Sequence, residues 1–118
     1  MKQDVRWKQR FANFKQALGY LEVAVNQDKL DILQQAGMIQ FFEMCFDLSW
    51  KLLKDYLEEQ GFIDVQSPRA AIKQAFANGI IQDGHLWMNL LLDRNLTSHR
   101  YDEETSNKVL DLIRSTYY

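Results

Sequence analysis

Arg94, His99 and Tyr101 fall within the eight residues Arg94-Asn95-Leu96-Thr97-Ser98-His99-Arg100-Tyr101, an Arg-x4-His-x-Tyr arrangement. A permanent cation with a fork of donors, a side chain that titrates near neutral pH and a phenol together suit the handling of a phosphate group. In that reading Arg94 offers hydrogen bonds to phosphate oxygens, His99 moves a proton and Tyr101 orients or receives a group. The same residues also read as a structured turn between helices, with Arg94 paired to an acid, His99 bonding a carbonyl and Tyr101 packing on the last helix. At about 100° per residue, a continuous helix would point His99 roughly 140° away from Arg94. A bend between them is therefore expected. Asn95, Thr97 and Ser98 compete with helical hydrogen bonds and favour caps and turns, so the expectation is a helix ending near Arg94 and a short loop presenting His99.

A second polar constellation is Gln40, Glu43, Asp47, Lys51, Lys54 and Glu58, which share one stripe of a helix. Asp47 and Lys51 are spaced as an i,i+4 ion pair of the favourable polarity. A solvated face is the ordinary fate of such a stripe, and Glu43, Asp47 and Lys51 are its candidates for substrate binding. Two carboxylates one turn apart can also hold a divalent metal or act as a base, but the pattern is too common to be specific. No metal site and no cofactor are expected. His85 has no ligand partner at a recognisable spacing and reads as a surface or capping residue. The chain has no Gly-x-x-x-x-Gly-Lys-Ser/Thr phosphate loop, Gly-x-Gly-x-x-Gly turn, Gly-x-Ser-x-Gly elbow or His-Glu-x-x-His helix. Nor does it carry the Asp-x-Asp pair beside a Gly-Ser turn expected of a nucleotidyltransferase catalytic domain, so any nucleotidyl transfer would need another polypeptide.

Helices must position these residues. Trp7, Phe11, Phe14, Leu18, Leu21 and Val25 recur at three- and four-residue steps and predict an amphipathic first helix from about Asp4 to Val25. A long second helix is expected from about Leu30 to Gln60, closed by Gly61. On it Phe41, Phe42, Cys45, Phe46, Leu48, Trp50, Leu52, Leu53, Tyr56 and Leu57 cover an arc of about 200°, wider than one partner needs. It must pack on several neighbours or across a subunit interface, and the arc predicts a homodimer. Ser67-Pro68 starts a short helix to about Asn78. Asp83 opens a fourth through Leu86, Trp87, Leu90 and Leu91 to Arg94, and Asp102-Glu103-Glu104 places acids at the positive end of a last helix to about Thr116, whose apolar face is Val109, Leu112, Ile113 and Tyr117. The short connections predict an all-α, up-and-down bundle of four main helices with an additional short one.

At 118 residues, 47% hydrophobic and 25% charged, with one proline and five glycines, the chain fits a single domain over 1–118 that is rich in helix. There is no run of about 18 apolar residues and no signal-like start, so a cytoplasmic protein without membrane contact is expected. Cys45 is the sole cysteine, which excludes an internal disulfide and reads as a buried thiol. A formal net charge of −2 gives no global attraction to nucleic acid. Local charge differs: Lys2, Arg6, Lys8, Arg10 and Lys15 against Asp4 make the first fifteen residues +4, a patch or simply a solvated first helix.

The stretches RNLTSHRYDE, from Arg94 to Glu103, and FFEMCFDLSWKLLKDYLEE, from Phe41 to Glu59, resemble the HEPN superfamily. More narrowly the chain resembles bacterial nucleotidyltransferase substrate-binding subunits, relatives of the HepT toxins, and the likeness covers essentially its whole length. The resemblance implies a four-helix up-and-down bundle like the helical domain of kanamycin nucleotidyltransferase, a homodimer, and a separate minimal nucleotidyltransferase as partner. It implies a subunit that binds nucleotide or acceptor for that partner and, as the alternative, a HepT-like endoribonuclease toxin neutralised by the partner through adenylylation. Carried over by motif, Arg94 and His99 match the ribonuclease pair and Tyr101 matches the adenylylated tyrosine. The implied cleavage is metal-independent: a ribose 2′-hydroxyl attacks its adjacent phosphate, His99 assists proton transfer and Arg94 stabilises the developing charge. Arg94 and Arg100 against Asp93, Asp102, Glu103 and Glu104 leave this segment at −2, a surround that weakens RNA binding.

Overall fold

Short polar side chains set the helix starts. Asp31 accepts from the Gln34 amide at 2.8 Å while the Gln34 side chain accepts from the Asp31 amide at 2.9 Å, a reciprocal capping box. Ser67 accepts from the Ala70 amide at 3.1 Å ahead of Pro68, and Asp83 accepts from the Leu86 amide at 3.0 Å. Gly61 (φ 94°) and Gly79 (φ 73°) take left-handed conformations just past two helix ends, where a side chain would be strained.

The structure is a computed structural model, and it describes the backbone of residues 2–99 and 103–117 and the side chains of residues 7–97 and 107–117. Within them the chain runs through α1 (Lys2–Val25), α2 (Ile32–Glu59), α3 (Pro68–Ala77), α4 (Gly84–His99) and α5 (Glu103–Leu112). The last helix passes directly into a π-helical turn, Ile113–Tyr117. Among the described residues there is no strand, and the protein is an all-α bundle of four main helices plus the short α3. It is elongated, 45 × 25 × 23 Å, and no helix among the described residues is long and apolar enough to cross a membrane.

Among the described residues, two apolar clusters hold the bundle. The first joins Ala17 and Leu21 of α1, Met38, Phe42 and Cys45 of α2, Val109 and Leu110 of α5, and Ile113. The second joins Phe46 and Leu57 of α2, Val65 from the following loop, Ala71, Ile72 and Ala75 of α3, Ile81, and Leu91 of α4. Thus α2 runs through both, and most of its wide apolar arc is covered by α1, α3, α4 and α5 of the same chain. Tyr56, expected in it, is 46% exposed. Phe11 likewise leaves the buried stripe of α1, with the Lys15 ammonium 5.6 Å from its ring centroid, while Ala17 is buried.

The structure corrects one expectation at the centre of the sequence reading. No bend follows Arg94: α4 continues through His99. The physical reason is visible at Thr97, which is only 3% exposed and whose hydroxyl donates to the Arg94 carbonyl at 2.9 Å. A hydroxyl satisfied on the preceding turn is compatible with a helix interior, and burial of Thr97 holds it there. The boundary of α2 also moves, from about Leu30 to Ile32, because the cap is Asp31, and Leu30 packs against the first cluster.

Candidate functional site

Arg94 projects from α4 toward α2, where Glu43 and Asp47 lie one turn apart. Its Nε donates to Asp47 Oδ1 at 2.9 Å and its Nη2 to Asp47 Oδ2 at 3.0 Å, a two-bond fork, while Nη1 donates to Glu43 Oε2 at 3.1 Å. Planar guanidinium matches carboxylate in this geometry, and charge-assisted bonds of this kind are the strong ones. The clamp is half-buried: the side chains of Arg94 and Glu43 are 23% and 20% exposed, and that of Asp47 is 37% exposed. Accepting Asp47 oxygens hold the Arg94 pKa above its ordinary value; burial opposes this, and the charges of Asp47 and Glu43 add to it. Arg94 is a fixed cation.

Lys51 is not part of the clamp. The expected Asp47–Lys51 pair is not formed, because both Asp47 oxygens face Arg94. Lys51 is exposed, and its backbone carbonyl accepts from Arg10 Nη1 at 3.3 Å. Glu43 and Asp47 are thus more than a plain solvated face, since both carboxylates accept from Arg94. The alternative in which Arg94 pairs with an acid describes its geometry, with two acids in place of one. His99 closes α4, and its side chain lies outside the described residues, as does all of Tyr101. His85 is exposed at the start of α4.

The clamp has a neighbour that residue spacing alone does not reveal. Asp93, next to Arg94, accepts a hydrogen bond from the Tyr117 hydroxyl. The Tyr117 ring stacks on Phe42, next to Glu43, with centroids 5.6 Å apart and planes 11° from parallel. Burial first, and then the Asp93 bond, hold the Tyr117 phenol well above the usual tyrosine range, so it donates at every ordinary pH. The available signal was the adjacency of an unassigned acid to Arg94.

The arrangement presents a guanidinium in one orientation at an open edge of α2. An anion could reach it only by displacing a carboxylate, and Asp47 is the more exposed of the two. Among the described residues, the arrangement can hold and orient a charged group.

Known proteins match this chain over most of its length. The family described as "Nucleotidyltransferase substrate binding protein like" matches residues 9–118. A Haemophilus influenzae protein named "Probable ribonuclease HepT" is 33% identical over 78 residues, covering 63% of this chain and 53% of that protein. The matched chain therefore spans about half the length of that curated relative. A crystal structure of a protein from Thermus thermophilus is similar in fold, with a TM-score of 0.78, 27% identity, and coverage of 85% of this chain and 86% of that one.

Proposed function

Because this chain belongs to the nucleotidyltransferase substrate binding protein like family, we propose that it is the helical, substrate- or nucleotide-binding subunit of a two-chain nucleotidyltransferase. A separate minimal nucleotidyltransferase supplies the transfer chemistry, for which this sequence lacks the Asp-x-Asp pair beside a Gly-Ser turn. The observation that carries the reading is the Arg94 clamp, a guanidinium oriented by Glu43 and Asp47 before any ligand arrives. Folding meets the cost of ordering the long Arg94 side chain, and a bound phosphate must offset the carboxylate bond it displaces. The ligand phosphate takes a guanidinium edge from one carboxylate, and the released acid is then available to a donor on the acceptor. The active form is a homodimer joined to the partner.

Co-purification from the native host, followed by calorimetry with ATP, tests this. The expected result is recovery of a nucleotidyltransferase chain, and a complex whose nucleotide affinity falls at least about tenfold in Arg94→Ala, the loss of one charge-assisted bond. Absence of such a chain from both the gene neighbourhood and the pull-down, or affinity indifferent to Arg94, overturns it. Sedimentation equilibrium tests the homodimer.

The relative named as a probable ribonuclease, with the Arg94-x4-His99 spacing, favours a second reading: a metal-independent endoribonuclease that the partner silences by adenylylating Tyr101. The ribose 2′-hydroxyl attacks phosphorus and gives its proton to His99; the P–O5′ bond breaks to leave a 2′,3′-cyclic phosphate held by Arg94, and the departing 5′-oxygen takes a proton from water to become a hydroxyl. Positions 94 and 99 lie about 140° apart around one continuous helix, so this reading requires α4 of each copy in a dimer to face one site. His99→Ala is expected to remain folded by circular dichroism and to lose all cleavage of a short RNA. Cleavage unchanged in that variant ends the ribonuclease reading. Tyr101→Phe is expected to keep cleavage and to take no label from ATP and partner; nucleotide still attached moves the acceptor elsewhere.

A further inference from the structure

The C-terminal turn reaches the residues on either side of the clamp. Ile113 is fully buried in the first cluster, Arg114 Nη2 donates to the Gln27 carbonyl at 3.0 Å, and the Ser115 hydroxyl donates to the Asp111 carbonyl at 2.8 Å. These contacts leave the π-helical turn little freedom, and they deliver Tyr117 into the space between α2 and α4. Single π-turns widen a helix locally and are frequent at functional sites.

Tyr117 joins α2 to α4 by two contacts of different kinds. Its ring lies on Phe42, which is 3% exposed and immediately precedes Glu43. Its hydroxyl holds Asp93, which immediately precedes Arg94. One side chain therefore grips the residue before each half of the Arg94–Glu43 ion pair. Residues adjacent on a helix point about 100° apart, so Tyr117 does not occupy the clamp. It sets the separation and rotation of the two helices that form it.

We infer that Tyr117 is a positioning residue for the Arg94 site, holding α2 and α4 in the register at which Glu43 and Asp47 both reach the guanidinium. The inference rests on the proposed role of Arg94 for its functional meaning, while its structural content stands without any ligand. The stack fixes the distance between the helices and the hydroxyl fixes their rotation, so the two contacts are separable. Tyr117→Phe keeps the ring and removes the bond; Tyr117→Leu removes both.

The test reads the clamp directly, in the full chain without nucleotide or partner, by hydrogen exchange of the Arg94 Nε–H in 15N spectra. The signal is assigned by its loss in Arg94→Lys. The expected result is a protected Nε–H whose exchange accelerates about tenfold in Tyr117→Phe, as for one lost hydrogen bond to a charged group, and further in Tyr117→Leu. Ile72→Val, in the other cluster, supplies the control: it lowers global stability and leaves this exchange unchanged. Exchange unmoved in both Tyr117 variants overturns the inference, and so does equal acceleration by Ile72→Val. Because no ligand takes part, failure here leaves the binding proposal standing, and failure of nucleotide binding leaves this result standing.

Discussion

Arg10 and Arg94 both cross onto α2, and they do so differently. Arg10 comes from α1 and meets one acid, Asp55, at 2.6 Å, with Nη1 also donating to the Lys51 carbonyl. Arg94 comes from α4 and meets two acids through three bonds. Asp55 is only 9% exposed, whereas Asp47 is 37% exposed. One cation matched to one enclosed carboxylate is a pin between helices. A cation shared by two carboxylates, one of them open to water, can release a partner without stranding a charge. Burial and stoichiometry, more than the presence of an ion pair, separate structure from recognition here.

Removing Arg94 is the largest test of that distinction. Arg94→Ala is expected to lower stability by about 2 kcal/mol in urea unfolding, less than a fully buried pair would lose because water reaches Asp47, and to weaken nucleotide binding by the partner complex at least about tenfold. Arg10→Ala is expected to cost about 1.5 kcal/mol, since it strands Asp55, and to leave binding unchanged. If Arg10→Ala weakens binding as much as Arg94→Ala does, the two arginines have one role and the comparison fails.

Burial should govern chemistry away from the ion pairs as well. Burial raises the Cys45 thiol from 9.0 to about 11. Because the folded pKa is the higher one, this contribution is fully present below pH 9 and is lost as pH rises toward 11. Unfolding free energy is therefore expected to drop by about 1 kcal/mol between pH 8 and pH 10, and Cys45→Ala to flatten that drop in part, Tyr117 adding to it in the same direction. A thiol that reacts in the folded protein at pH 8 as fast as in urea would show it is not enclosed.

The smallest test lies within the clamp. Among the described residues, Asp47→Asn loses the charge beneath two bonds to Arg94 and Glu43→Gln the charge beneath one, so urea unfolding is expected to rank Asp47→Asn as the more destabilising by about 0.5 kcal/mol. Reversal of that order would make Glu43 the principal anchor.

Much of this molecule is local enough to read from its residues. Ser67-Pro68, Asp83 and Gly61 mark helix ends by their own backbone chemistry, and the three- and four-residue steps place Leu21, Phe42, Phe46 and Val109 inward before any tertiary contact is known. Arg94, Glu43 and Asp47 were each legible as polar candidates. Their meeting was not, since it depends on how α4 sits on α2, residues 47 and 51 apart in sequence. The helix through Thr97 shows the opposite limit. Asn95, Thr97 and Ser98 favour turns in isolation, but a buried Thr97 that bonds its own preceding turn removes the competition. By spacing Tyr117 belongs to an apolar face, and only the π-turn directs its hydroxyl to Asp93.

The course of α2 through the protein has a last consequence, for how the chain comes apart. Cys45 belongs to one apolar cluster and Phe46, its neighbour, to the other. A helix 28 residues long thus acts as a common axle: neither half of the bundle can detach without baring the middle turns on which the other half depends. Opening of α3 alone, or of the C-terminal turn alone, remains local, but any event that exposes the amides near Phe46 is unfolding of the whole. Those amides should be the last to exchange with solvent, and their protection a direct reading of total stability.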